Sequence, residues 1–323
     1  MDESLLDLLI CRIPELRGRE RIELAKKFDR EDDFLLLSKV DVEILLGRPL
    51  KEKWTMEQIR SLAENDRNAA KKSGIRMVSW RDASYPPLLR EIYDPPALLY
   101  YRGVLSDPEK PLAAVVGTRK PTPLAAERAY KLGRELGEAG ISVVSGLALG
   151  IDSMAHRGNV EAGSPTVAVL GSGLDNVYPV TNRDLARRIL ESGGLIVSEY
   201  PPGTGPLKWN FPERNRIISA LARGTVVVEA PEKSGALITA QFALDQDRDL
   251  WVDSIGLSSS RGKGSARLAQ EGAGVINSAG DILAEWNMAC KLPRFNEARN
   301  LNGNGGAAAG MVSSMAEYLG IKL

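Results

Sequence analysis

Several side chains suited to binding nucleic acid stand together in one short stretch of the sequence. They are Lys208, Trp209, Phe211, Arg214, Asn215 and Arg216. Aromatic rings stack on unpaired bases, while lysine and arginine bind the phosphates that join them. These residues include no acid, nucleophile or metal ligand, so they predict nucleic-acid binding before catalysis. The alternative is that Phe211 packs in the core and that the arginines form surface ion pairs.

The elements that position this cluster are predicted from a series of short apolar runs. Each run ends in Gly, Glu or Ala, and the runs are 113–117, 141–146, 166–171, 195–199 and 225–230. They lack polar alternation and are separated by helical patterns, which predicts a parallel sheet covered on both faces. We therefore expect an α/β fold with an extended Rossmann-like, doubly wound, mostly parallel sheet over residues 75–287.

The rest of the chain divides into a helical segment and a tail. Apolar residues recur at helical spacing over residues 1–74, which predicts a small all-helical domain of about four short helices. Thr55 and Gln58 form a capping-box pattern at the start of one helix, and Gly74 is expected to close it. Residues 288–323 are rich in Gly, Ala and Asn, and are expected to form a flexible tail.

Three turns at strand ends carry residues that suit contact with an anion. Ligands of doubly wound sheets lie at the carboxyl ends of the strands. Backbone N–H groups and a basic side chain at such a turn can hold a phosphate. The candidate residues are Gly117, Thr118 and Arg119 after the first run, Ser145 and Gly146 after the second, and Ser234, Gly235 and Thr239 at a predicted helix start.

Several classes of function are disfavoured by the composition and by imperfect motifs. The formal net charge is zero, which disfavours a protein that coats duplex DNA but allows a focused basic groove. No metal-ligand spacing and no dinucleotide fingerprint is present, and the loop from Gly256 to Lys263 misses the P-loop pattern, so no cofactor is expected. The lone His156 is expected to be structural rather than catalytic.

The expected location of the chain is the cytoplasm. Its two cysteines, Cys11 and Cys290, are far apart and fit a reducing compartment. No apolar run is long enough to cross a bilayer, and the acidic first residues lack the pattern of a secretory signal.

Taken in order, the motifs of the sequence resemble those of the DNA-processing protein A family, also called Smf. The resemblance covers roughly residues 75–286, and it is carried by VVGTR, SGLALGID, TVAVLGSGLDNVYP, SEYPPG, FPERNRII and VVVEAPEKSGALITA. The segment 1–74 is similar to the sterile-alpha-motif-like domain of that family. Many members also carry a C-terminal winged-helix domain, for which this sequence leaves no room.

The resemblance implies a protein without enzymatic activity that binds single-stranded DNA. Such a protein protects incoming strands during natural transformation and loads the RecA recombinase onto them, and it is expected to act as a homodimer. Carried over by motif, Arg119, Lys208 and Phe211 would be the main DNA contacts. Arg214 and Arg216 would line or brace the pocket.

Two other classes of function remain as alternatives. The first is a nucleotide phosphoribohydrolase of the lysine-decarboxylase-like group, whose fold is related but whose Pro-Gly-Gly turn is absent from this sequence. The second is a nucleotide-binding regulatory module, for which the glycine-rich strand ends are the only support.

Overall fold

The computed structural model describes residues 5–105, 107 and 110–288. Within this part of the chain, five helices precede the first strand. They are α1 (Leu5–Arg12), α2 (Gly18–Ala25), α3 (Glu31–Leu35), α4 (Lys39–Leu46) and α5 (Met56–Lys72). The predicted capping box is present, because the Thr55 hydroxyl accepts from the backbone of Gln58 and the Gln58 side chain accepts from the backbone of Thr55. Gly74 follows α5 with a φ of +63°, a conformation that favours glycine.

Nine strands form one mostly parallel sheet. They are β1 (Arg76–Ser79), β2 (Leu98–Gly103), β3 (Leu112–Val116), β4 (Ser142–Ser145), β5 (Val167–Val169), β6 (Leu195–Ser198), β7 (Gly224–Val227), β8 (Asp249–Asp253) and β9 (Gly274–Ile276). Their order is β1-β2-β6-β5-β4-β3-β7-β8-β9. The seven strands β6-β5-β4-β3-β7-β8-β9 pair in parallel with their neighbours. The strands β1 and β2 extend the sheet beside β6, and both of their pairings are antiparallel. The expected α/β architecture is therefore confirmed, with an antiparallel edge that the sequence patterns did not predict.

Helices connect the strands on both sides of the sheet. They are α6 (Pro87–Arg90), α7 (Pro123–Glu138), α8 (Ile151–Glu161), the 3-10 helix Val180–Asn182, α9 (Arg183–Glu191), α10 (Asn210–Leu221), α11 (Gly235–Asp245), α12 (Ser254–Ser258), α13 (Lys263–Gln270) and α14 (Ala279–Glu285). No helix in the described ranges is long and apolar enough to span a membrane.

Alternate residues of β1, β2, β5 and β6 enter two separate hydrophobic cores. In β6, Ile196 belongs to the core that contains helices α1 to α5, whereas Leu195 and Val197 belong to the core under α10 and α11. Ala168 and its neighbours Val167 and Val169 divide in the same way in β5. This alternation follows from the two-residue period of a strand, and it explains why the strands are apolar throughout. The N-terminal helices thus share a core with one face of the sheet.

The chain reverses direction across the sheet between β3 and β7. It first moves outward from β3 through β4 and β5 to β6, and then crosses back to place β7 beside β3. The crossover contains α10 and the residues that precede it, 199–209. In doubly wound sheets, such a switch point opens a crevice at the carboxyl ends of the two central strands.

Candidate nucleic-acid interface

A cleft of about 1040 Å³ lies at the switch point. Its lining comes from the turn after β3, the segment before and inside α10, the loop after β7 and the start of α11. Most of the predicted site residues line it: Gly117, Thr118, Arg119, Lys208, Phe211, Arg214, Asn215, Ser234, Gly235 and Thr239. The structure thus brings together side chains that are up to 122 positions apart in the sequence, from Gly117 to Thr239.

An aromatic wall is formed by Phe211 at the second position of α10. The guanidinium carbon of Arg119 lies 5.5 Å from the centre of the Phe211 ring, within the range of a cation–π contact. The ring of Tyr178 lies 5.7 Å from the Phe211 ring and is tilted by 45°. The start of α10 is held in place by Asn210, whose side-chain amide donates to the carbonyl of Gly171 at 3.0 Å. Phe211 therefore stands at a fixed position between a cation and a second ring.

The floor of the cleft contains the buried guanidinium of Arg214, which is only 4% exposed. Its Nη1 donates to the carbonyls of Gly146, at 2.9 Å, and of Val169. Its Nε has no hydrogen-bond partner in the described part of the chain. Burial lowers the pKa of Arg214 to about 10, so the group stays charged at neutral pH. It supplies positive potential beneath the cleft.

Asp152 is the acidic residue among those that line the cleft. Burial raises the pKa of its carboxyl, and the positive charge of Arg214 opposes that shift. The carboxylate accepts from the backbone N–H of Gly146 at 3.1 Å. The basic residues of the lining are Arg119, Lys120, Lys208, Arg214, Lys233 and Arg261. Positive charge therefore dominates the cleft although the whole chain is neutral.

Glu229, at the end of the run 225–230, holds three loops together beneath the cleft. Its buried carboxylate accepts from the backbone N–H of Thr122 at 2.8 Å and from the Thr122 hydroxyl at 2.9 Å. It also accepts from the hydroxyl of Ser259. Its own carbonyl accepts from the N–H of Thr118 at 2.8 Å. These bonds fix the backbone on both sides of Arg119.

The start of α11 forms another part of the lining. The Ser234 hydroxyl accepts from the N–H of Ala236 and caps the helix. The Asn215 amide donates to the carbonyl of Gly235 at 3.2 Å and so links α10 to this turn. Backbone N–H groups at a helix start attract anions, and Lys233 and Arg261 stand beside them in the lining.

Three predicted site residues lie outside the cleft lining. The Ser145 hydroxyl donates to the carbonyl of Val115 at 2.7 Å and is fully buried. A Cβ atom on Gly146 would lie 2.6 Å from Nη1 of Arg214. The absence of a side chain at Gly146 therefore accommodates the arginine and does not open the backbone to a ligand. Arg216 forms a two-bond ion pair with Glu199, at 2.8 and 2.7 Å. These residues support the cleft from below or from the side.

Other lining residues were not singled out from the sequence. Tyr178 follows β5 at the end of the motif TVAVLGSGLDNVYP, where no single residue was assigned to the site, and it is 43% exposed. Lys233 precedes the cap of α11, and its basic charge beside Ser234 was the signal that could have identified it. No group of three or more His, Cys, Asp or Glu residues able to hold a metal ion is present in the described ranges.

His156 is buried, and its environment supports the structural role expected from the sequence. Its Nδ1 lies 2.8 Å from the Thr166 hydroxyl, which in turn donates to the carbonyl of Val143. Burial, reinforced by the positive charge of Arg214, lowers the pKa of His156 to about 3. The imidazole is therefore neutral at physiological pH.

Residues 76–287 match the family model described as DNA recombination-mediator protein A. The chain belongs to this family. A curated relative of the family, DNA processing protein DprA of Bacillus subtilis, is 36% identical over 302 residues, which cover 88% of this chain and 96% of the relative. Another, from Streptococcus pneumoniae, is 42% identical over 205 residues, which cover 64% of this chain and 72% of the relative.

Solved structures of family members agree with the fold. The X-ray structure of DNA processing protein A from Streptococcus pneumoniae aligns with a TM-score of 0.73 at 34% identity, and covers 88% of this chain and 99% of that one. A structure of the protein from Helicobacter pylori, which describes its single-stranded DNA binding mode, aligns with a TM-score of 0.58 at 28% identity. That alignment covers 66% of this chain and 95% of the Helicobacter chain.

The buried, neutral state of His156 predicts a loss of stability in mild acid. Its folded pKa of about 3 lies below the ordinary histidine value of 6.5, so the unfolded chain binds more protons as the pH falls through 6.5. Between pH 7 and pH 5 we expect this residue to lower the free energy of unfolding by about 2 kcal/mol. His156→Gln should remove that part of the pH dependence, as measured by chemical denaturation at both values.

Comparison of the original protein with His156→Gln isolates the contribution of this side chain, because His156 is the single histidine of the sequence. The raised pKa of Asp152 acts in the opposite direction, but it contributes to both proteins and cancels in the difference. Equal losses of stability in the original protein and in the variant would contradict the assignment.

Proposed function

We propose that this chain binds single-stranded DNA in the cleft at the switch point, without enzymatic activity and without a cofactor. The observation that carries the proposal is the contact of Phe211 with Arg119 inside a cleft dominated by basic residues. Bases stack on rings and phosphates bind cations, so this pair suits one nucleotide. A duplex keeps its bases stacked and paired, and it offers no free base to a ring at this position.

The proposal extends to the role of the bound strand. Membership of a family described as recombination mediators supports a function in which the protein protects incoming single strands and loads RecA onto them in the cytoplasm, as in natural transformation. The relative from Helicobacter pylori, with its single-stranded DNA binding mode, supports the choice of ligand. We assign DNA binding to residues 75–287, because every lining residue of the cleft falls within them.

The phosphoribohydrolase alternative is disfavoured by the state of the carboxylates near the cleft. The Glu229 carboxylate is buried and already accepts from Thr122 and Ser259. Asp152 accepts from the backbone N–H of Gly146. Both carboxylates thus stabilise the loops of the protein, which is a structural role.

We expect single-stranded DNA to bind much more tightly than blunt duplex, with a steep dependence on salt. Arg119→Ala and Lys208→Ala should each weaken binding and lower the salt slope by about 0.7, the value for one phosphate contact on a single strand. Fluorescence anisotropy at several salt concentrations measures both quantities. Arg134→Ala and Lys131→Ala are matched controls, because these side chains are exposed on α7, away from the cleft lining. Tighter binding to duplex would rule out the proposal.

Stacking on Phe211 is expected to contribute about 1–3 kcal/mol to the binding of single-stranded DNA. Phe211→Leu keeps an apolar side chain of similar reach but removes the aromatic face. It should therefore lose most of that contribution while its melting temperature stays close to that of the original protein. Tyr93→Ala, at a ring that is 73% exposed elsewhere, is the control. A variant that melts early but binds normally would identify Phe211 as a core residue.

Loading of RecA is expected to appear as a shorter lag in the DNA-dependent ATP hydrolysis of RecA on strands covered by a single-strand-binding protein. If this chain binds such a strand, it exposes a short stretch of DNA that the single-strand-binding protein no longer covers. RecA filaments can then start sooner on that stretch. Lys208→Ala should lengthen the lag again, whereas Lys131→Ala should not. An unchanged lag with the original protein would confine the function to binding and protection.

We also propose that the chain forms a homodimer through its Rossmann-like domain, so that two clefts hold one strand and raise the avidity. Leu250 in β8 and Ile276 in β9 are unsuited to such an interface, because they are only 9% and 1% exposed within the monomer. Val275 on the edge strand β9 and Leu244 at the end of α11 are 48% and 52% exposed, and they suit an interface better.

Light scattering should give a mass near twice 35.0 kDa. Val275→Glu is expected to shift that mass toward the monomer, because a charge in an apolar contact is costly. Leu36→Glu, at a leucine that is 84% exposed on another part of the chain, is the control. A monomeric mass for the original protein would contradict the dimer.

A further inference from the structure

A row of exposed side chains continues from the cleft along the neighbouring loops. Tyr178 belongs to the cleft lining, and its ring contacts Phe211. Val180, two residues further on, is 58% exposed, and Leu149 in the loop after β4 is 47% exposed. Exposed apolar side chains that stand singly need no explanation, but several of them on loops that border a binding cleft suit a contact surface.

The two loops that carry this row are joined to each other. The side-chain amide of Asn182, in the 3-10 helix Val180–Asn182, donates to the carbonyl of Leu147 at 2.8 Å. Asn182 is itself buried. This bond fixes the short helix that carries Val180 against the loop that carries Leu149. The row is therefore held in place by the fold.

A cation follows the row. Arg183 begins α9 directly after the 3-10 helix, and it is exposed. Within the described part of the chain its side chain forms no ion pair and no hydrogen bond. The adjacent Asp184 is paired with Arg187 at 2.6 Å, so its charge is compensated. Because a 3-10 helix rises only about 2 Å per residue, Arg183 stays close to Val180.

We propose that Tyr178, Leu149, Val180 and Arg183 form a second subsite for single-stranded nucleic acid, which holds the nucleotides that leave the cleft. This inference rests on the proposed function and extends it. Bases lie on the tyrosine ring and the apolar side chains, and Arg183 binds a phosphate between them. The alternation of a ring, apolar side chains and an unpaired cation repeats the chemistry of Phe211 and Arg119 in the cleft, which suits nucleotides better than a protein partner.

The test compares short and long oligothymidylates, because a second subsite matters only to strands that outgrow the first. We suggest lengths from about 4 to about 16 nucleotides, the usual range of single-strand sites. Arg183→Ala and Val180→Ser are the variants, since both side chains lie outside the cleft lining. Val40→Ser is a matched control at 60% exposure on α4, and Arg134→Ala controls for the loss of an exposed arginine.

For the shortest oligonucleotide that binds, both variants should match the original protein within about twofold. For the longest, each should bind roughly three- to tenfold more weakly, and Arg183→Ala should lower the salt slope by about 0.7. Melting temperatures should not change, because both side chains are exposed.

Three results would overturn the second subsite. They are equal losses at all lengths, no loss at any length, and losses of the same size in the controls. If the variants bind long strands normally, the exposed row does not contact nucleic acid and is better explained as a contact surface for a protein partner. Failure of the original protein to bind any oligonucleotide is a different result, because it would contradict the proposed function itself.

Discussion

The cleft depends on a single buried cation, the guanidinium of Arg214. It reaches from α10 under the cleft and donates to carbonyls at the ends of β4 and β5, at Gly146 and Val169. Burying a charge costs several kcal/mol unless hydrogen bonds and nearby opposite charge compensate it. Here two carbonyls and the carboxylate of Asp152 provide that compensation. The position of α10 is thus fixed relative to the sheet, and so is Phe211, three residues earlier on the same helix.

A second fixed point stands on the opposite side of the switch point. The Glu229 carboxylate accepts from Thr122 and Ser259, and so joins the loops after β3, β7 and β8. Arg119 lies in the first of these loops, and Arg261 in the last donates to the carbonyl of Lys120 at 2.7 Å. Charged side chains on separate loops would otherwise repel one another and spread apart. A buried carboxylate keeps them at one cleft without occupying it.

Much of the site was predictable because parallel strands end at the same edge of a sheet. That rule alone placed Arg119 near the turn at Ser234, which lies more than a hundred positions further along the chain. The two arginines of α10 show what the rule leaves out. Residues two positions apart on a helix point about 200° apart, so Arg214 faces the cleft while Arg216 faces Glu199.

Other parts of the structure depend on contacts that no local pattern encodes. Tyr178 meets Phe211 only because the loop after β5 folds over the start of α10, and nothing in the spacing of that loop requires it. The antiparallel strands β1 and β2 were not predicted either. The pairing of β2 with β6 joins residues that are almost a hundred positions apart. Tertiary packing decides such elements, and it outweighs local preference.

The stacking of Arg119 on Phe211 has a consequence for the protein before any strand arrives. The Phe211 ring is half-buried, and the Arg119 guanidinium over its face competes with any planar group that would stack there. Under the proposed function, a base gains the ring only by displacing this cation, whose contact is worth about 0.5–1 kcal/mol at an exposed site. The displaced cation then becomes available to the phosphate of the same nucleotide. A ligand with a ring but no phosphate would also have to displace Arg119 from Phe211, but it would offer the displaced cation no phosphate to bind. The Arg119–Phe211 contact therefore selects against such ligands.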